Sequence, residues 1–234
     1  MTAVLLFIAV IAVIVGWWLS QQRLFAKPWL EQGVLGEFAG GGASSRPAAQ
    51  LGLGVFLAVV GSLFALLISA YSMRMSLTDT PPLPAPKILW LNTAALILSS
   101  ATLQTAQVAA RRGQIDGVRA GLFAAAGFAL AFLAGQLLAW RQLTEAGYYL
   151  ASNPASSFFY LITGVHGVHL AGGIVALGRT TTRAWSGLAT SELRLSVGLC
   201  AVYWHFMLLL WLVLFALLTS GGGDFLALCR SLAE

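Results

Sequence analysis

The sequence predicts an all-α, polytopic membrane bundle of six transmembrane helices, one N-terminal helix followed by a bundle of five. Three observations carry this. First, 59% of the 234 residues are hydrophobic and only 9% are charged. Soluble domains carry roughly 25% charge, so this chain has too little polar surface to stay in water. Second, six apolar windows (2–20, 51–72, 88–109, 118–140, 157–177 and 195–218) are each long enough to cross a bilayer, whose core takes about 20 residues of helix. Third, Asp, Glu, Lys and Arg enter these windows only at their ends. Disorder is excluded, because disordered chains are poor in apolar residues. A β-barrel is excluded because the runs are continuous and do not alternate at period two.

Taken in order, the first window is expected as a retained helix over 1–22. Met1-Thr2-Ala3 carries no basic residue, the apolar run from Val4 to Leu19 exceeds a secretory h-region, and no small-x-small cleavage site follows Trp17-Trp18. Those two tryptophans suit the interfacial aromatic belt. Residues 23–50 include Gly40-Gly41-Gly42, Ser44, Ser45 and Pro47 and read as a flexible linker. The five-helix bundle is expected over 51–220 and a short outer-side tail over 221–234. Between the second and third windows, Pro81-Pro82-Leu83-Pro84-Ala85-Pro86 favours an extended stretch. The other connections are short, which makes neighbouring helices antiparallel and adjacent. No internal repeat is present.

Charge gives the orientation. Arg23, Lys27, Arg46, Arg111, Arg112, Arg119, Arg179, Arg183 and Arg194 fall on one side; Arg74, Lys87, Arg141 and Arg230 fall on the other. The positive-inside rule then places the 23–50, 110–119 and 178–194 connections in the cytoplasm. Both termini face outward, on the periplasmic side of a bacterial inner membrane. The net charge of +5 therefore reflects loops facing anionic headgroups, and nucleic acid is not an expected partner. Cys200 and Cys229 form no disulfide framework and read as packing residues.

Polar groups inside a membrane are costly and so informative. The third window is rich in Ser, Thr and Ala, and the fourth carries Gly121, Gly127, Gly135 and Gln136. Both read as close-packing surfaces, with hydroxyls as glue between helices. All three histidines lie in the last two windows: His166 and His169 at i, i+3 on one face, and His205 after Tyr203-Trp204, expected toward the cytoplasmic start of its helix. Structural packing or lipid contact, a hydrogen bond to another subunit, and metal or haem ligation are all open to them. The first is favoured, since no carboxylate or thiolate accompanies them. Proton conduction through this chain alone is disfavoured by the absence of interior carboxylates. No phosphate-binding, dinucleotide, hydrolase or zinc-protease motif occurs.

Ordered motifs, one per helix, then give a resemblance. Trp90-Leu91-Asn92-Thr93 with Ser99-Ser100 is followed by Gly135-Gln136 and Trp140. Phe158-Phe159, Thr163-Gly164-x-His166-Gly167-x-His169 and Gly173 come next, and finally Tyr203-Trp204-His205-Phe206 with Trp211. This series resembles subunit III of the haem–copper terminal oxidases over about 51–218. The resemblance implies an accessory subunit with no catalytic, metal or cofactor-binding residues of its own. Such a subunit packs against catalytic subunit I, which holds the haem and copper, and it binds phospholipid and supports stability and turnover. The residues so implied in lipid or subunit contact are His166, His169, Tyr203, Trp204, His205, Trp211, Gln136 and Trp140. An accessory subunit of a nitric oxide reductase of the same superfamily, and an independent haem-binding membrane protein, are the other readings.

Three carboxylates that the family usually carries are missing. None occurs over Phe56–Ser62, Ala139 stands where a Glu is common, and Leu208 stands where an Asp follows the histidine motif. The family's part in proton uptake therefore transfers less well than its part in assembly.

Overall fold

A computed structural model describes residues 48–75, 86–186 and 190–219. They form five helices: α1 (Ala48–Met75), α2 (Ile88–Arg112), α3 (Ile115–Glu145), α4 (Pro154–Trp185) and α5 (Thr190–Thr219). Each is long and apolar enough to span a membrane, and no strand occurs among the described residues. The expected N-terminal helix, most of the linker before α1, the proline-rich stretch up to Ala85 and the C-terminal tail with Cys229 lie outside the described residues.

Helix ends follow local chemistry. Asn153, in extended backbone, accepts a hydrogen bond from the Ser156 amide at 2.7 Å, and Pro154 occupies the first turn. That pairing of cap and N1 proline sets a sharp start for α4. The α2–α3 turn needs Gly113, whose φ of 73° lies in the left-handed region, to return its amide to the last carbonyls of α2.

Helices α2, α3, α4 and α5 pack in a ring in which each touches its two neighbours, and α1 leans on the α4–α5 seam. The α2–α3 interface is the most extensive. Gly121 makes it close: a Cβ there would lie 2.7 Å from Ala106 Cβ and 3.0 Å from the Thr102 carbonyl. Small residues at such crossings let backbones approach, which matters where the hydrophobic effect does not drive helices together. Inside the ring, Trp204, Trp211, Phe132, Leu96, Leu122 and Ile162 are fully buried. The outer surface is equally apolar; Leu66, Leu91, Phe123 and Val168 are all exposed.

Helices α3, α4 and α5 overrun the apolar windows, because backbone hydrogen bonding continues beyond the point where hydrophobicity stops. Charged first and last turns remain helical, supported by Arg119–Asp116 at 3.6 Å and Arg141–Glu145 at 2.8 Å. One expectation changes as a result. Since α5 begins at Thr190, His205 is a mid-helix residue and does not sit near the helix start.

The arginine-rich end is knitted by side chains onto helix termini. Arg194 Nε donates to the Ala110 carbonyl at 2.9 Å and Arg119 Nε to the Ala184 carbonyl at 3.2 Å, closing the ends of α2 and α4. The Arg119 guanidinium also lies 5.3 Å from the centre of the Trp185 ring. Cations at helix C-termini complement both the free carbonyls and the dipole. Arg194→Ala should lower stability in detergent by about 1 kcal/mol, read as an earlier thermal unfolding midpoint, with Arg194→Lys recovering only part.

Candidate functional site

The polar and aromatic residues of α2–α5 converge in one seam through the ring. Three tryptophans organise it by the same device. Trp204 Nε1 donates to Ser99 Oγ at 2.8 Å, and Ser99 donates to the Ala125 carbonyl at 2.8 Å, linking α5, α2 and α3. Trp211 Nε1 donates to Thr93 Oγ1 at 3.0 Å, which donates to the Leu89 carbonyl at 2.8 Å. Trp140 Nε1 donates to Thr163 Oγ1 at 3.1 Å, which donates to the Phe159 carbonyl at 2.6 Å. An indole N–H shut away from water needs an acceptor. A hydroxyl on the facing helix supplies it and passes its own proton to a carbonyl.

Two glycines admit the bulky members. A Cβ at Gly173 would lie 2.6 Å from Tyr203 Cε1 and 2.8 Å from Trp204 Cζ3, so both rings rest on the α4 backbone. The Tyr203 hydroxyl continues across to the His169 carbonyl at 2.6 Å. At Gly135 the missing side chain makes room for Asn92, whose Nδ2 donates to Gln136 Oε1 at 3.4 Å.

The histidines separate into two kinds. His169 Nδ1 meets the Val165 carbonyl at 2.8 Å, and His205 Nδ1 meets the Ala201 carbonyl, each four residues back on its own helix. A carbonyl only accepts, so Nδ1 carries the proton in both, which in a neutral ring leaves Nε2 as the acceptor. His166 does neither. Its ring is fully buried among Trp211, Phe132 and Phe64, with centroids at 5.1, 5.7 and 6.3 Å.

Of the residues singled out from the sequence, His166, Trp204, Trp211 and Gln136 are buried, and their contacts lie within this chain. Tyr203 is buried as well, Trp140 and His169 are half-buried, and His205 is exposed on the outer face of α5. His166, Trp211 and Gln136 share one neighbourhood around Phe132; His205 stands apart from it. Sequence reasoning missed Phe64 and Phe132, two apolar residues among many, although the i, i+4 spacing of Phe132 and Gln136 places them on one face.

The family model described as cytochrome c oxidase subunit III matches residues 51–221. The chain belongs to the cytochrome c oxidase subunit III family. Among relatives, cytochrome c oxidase subunit 3 of Thermostichus vulcanus is 32% identical over 173 residues, covering 72% of this chain and 85% of that protein. The Synechocystis subunit 3 is 31% identical over 174 residues, covering 72% of this chain and 73% of the relative. A probable cytochrome c oxidase subunit 3 of Mycobacterium bovis is 34% identical over 126 residues. That match covers 54% of this chain, which spans 62% of the mycobacterial protein.

At the positions noted above for carrying no carboxylate, the residues present suit their surroundings. Ala139 is fully buried in the ring, and Leu208 is half-buried against the core. On α1, the exposed Ser62 hydroxyl donates to the Ala58 carbonyl at 2.9 Å. A buried carboxylate at 139 would need a partner of its own.

Proposed function

We propose that this subunit III is a non-catalytic accessory subunit of a respiratory haem–copper oxidase in a bacterial inner membrane. It packs against catalytic subunit I, binds phospholipid, and supports the stability and turnover of the complex. Haem and copper reside in the partner. The family match over the five helices carries the reading. The internal chemistry supports it, because the indoles and hydroxyls of the seam are committed to holding helices together. His205 adds a docking feature, with a bare Nε2 on the outer face of α5 that suits a hydrogen-bond donor from a neighbouring helix or headgroup. Its apolar surroundings, Val202, Leu209 and Leu212, are exposed on the same helix. The arginine-rich end faces the cytoplasm.

Affinity purification of the tagged chain from its own membranes tests the proposal. A large haem-containing subunit with oxygen-reducing activity should co-purify, whereas the chain alone should show no Soret band. Recovery of a nitric oxide reductase core would reassign the complex; recovery of the chain with no oxidoreductase would overturn the proposal. His205→Ala should leave the chain folded while reducing the yield of co-purified large subunit several-fold.

A further inference from the structure

We infer that one or two water molecules are bound inside the bundle between Gln136 of α3 and His166 of α4. Neither ring nitrogen of His166 and not the Nε2 of Gln136 has a hydrogen-bond partner among the described residues, although both side chains are buried. Among the described residues, these are the buried side-chain polar atoms left in this condition. The contrast with the other imidazoles is informative, since His169 and His205 each reach back to a carbonyl of their own helix. The His166 ring makes no such bond and packs against Phe64, Phe132 and Trp211.

Helix register brings the two together. Trp140 of α3 meets Thr163 of α4, and Leu133 of α3 lies opposite Gly167 of α4. Gln136 falls between 133 and 140, and His166 between 163 and 167, so the two residues lie at the same level of an antiparallel pair. They also share Phe132, one turn from Gln136 on the same face and in ring contact with His166. Donation from Asn92 to Gln136 Oε1 fixes the amide so that its N–H group is turned to the unpaired side.

The chemistry selects water. Gln136 Nε2 offers donors, and a neutral imidazole offers one acceptor and one donor. A water accepts from the amide and donates to the bare ring nitrogen, and a second takes the ring N–H. Buried waters are held by two to four such polar partners. The result is a continuous chain, Asn92–Gln136–water–His166, joining α2, α3 and α4 at a level where no bulk water reaches.

Solid-state NMR of the full chain in bilayers, with ¹⁵N-labelled histidine, reads this directly. The His169→Gln, His205→Gln double variant leaves a single imidazole to observe. Its ring nitrogens should receive magnetisation from water, and Gln136→Leu should remove at least half of that transfer. Absence of transfer in the double variant overturns the site, whether or not Gln136→Leu folds. A direct contact between Gln136 Nε2 and the ring, seen as a dipolar coupling with no water transfer, also overturns it.

Discussion

Trp211→Ala should be the most destabilising single truncation in the chain, lowering stability by about 3–5 kcal/mol. The side chain is fully buried, and its ring lies edge-on to Phe132 at 4.8 Å and tilted against His166 at 5.1 Å. Aromatic pairs of this geometry contribute beyond the area they bury. Truncation opens a cavity where α5 meets α2 and α3, and it removes the bond from the indole to Thr93. Thr93 keeps its own bond to the Leu89 carbonyl, so no donor is stranded by the change. Trp211→Phe separates the two contributions: most of the volume stays and only the indole bond is lost, at a cost of about 1 kcal/mol. Chemical denaturation in detergent micelles, followed by circular dichroism, gives both values. Equal effects from the two substitutions would mean that packing around the ring contributes little.

Much of the fold was legible because a membrane helix announces itself by length and apolarity alone. The windows at 51–72, 88–109, 118–140, 157–177 and 195–218 each correspond to a described helix. The ends were less legible, since residues such as Glu192 and Arg194 continue α5 with no apolar signal. Faces were least legible. In α5, Trp204, Met207, Trp211 and Leu214 are buried, while Val202, Leu209 and Leu212 on the other side are equally apolar but exposed. Where lipid and core are both apolar, the 3.6-residue period cannot distinguish them. Thr93 and Ser99 were recognisable as glue between helices. Their partners were not, because Trp211 and Trp204 lie 118 and 105 residues away in the chain. His166 and His169 look equivalent at i, i+3, and what separates them is the full burial of His166 against Phe132 and Trp211 and the bond of His169 to the Val165 carbonyl.

Two adjacent glycines on α4 should respond to the same substitution with opposite sign. At Gly172 a Cβ meets nothing within 4 Å, and the residue is exposed on the outer face. Gly172→Ala should therefore be neutral or stabilising by up to about 1 kcal/mol, from the better helix propensity of alanine. At Gly173 the added carbon would stand 2.6 Å from Tyr203 and 2.8 Å from Trp204. Neither ring can simply swing away. Tyr203 is tied by its hydroxyl to the His169 carbonyl, and Trp204 is tied by its indole to Ser99. Relief requires α4 and α5 to separate, which strains both bonds and loosens the packing around them. Overpacking of this kind costs about 1–3 kcal/mol for a single carbon, and Gly173→Leu should prevent stable folding. The double variant Gly173→Ala, Tyr203→Ala should be less destabilised than the sum of its parts, because removing the phenol ring makes room for the new methyl. Thermal unfolding of Gly172→Ala, Gly173→Ala, Tyr203→Ala and the double variant in one detergent decides the matter. Strict additivity would place the clash elsewhere than at the Tyr203 ring.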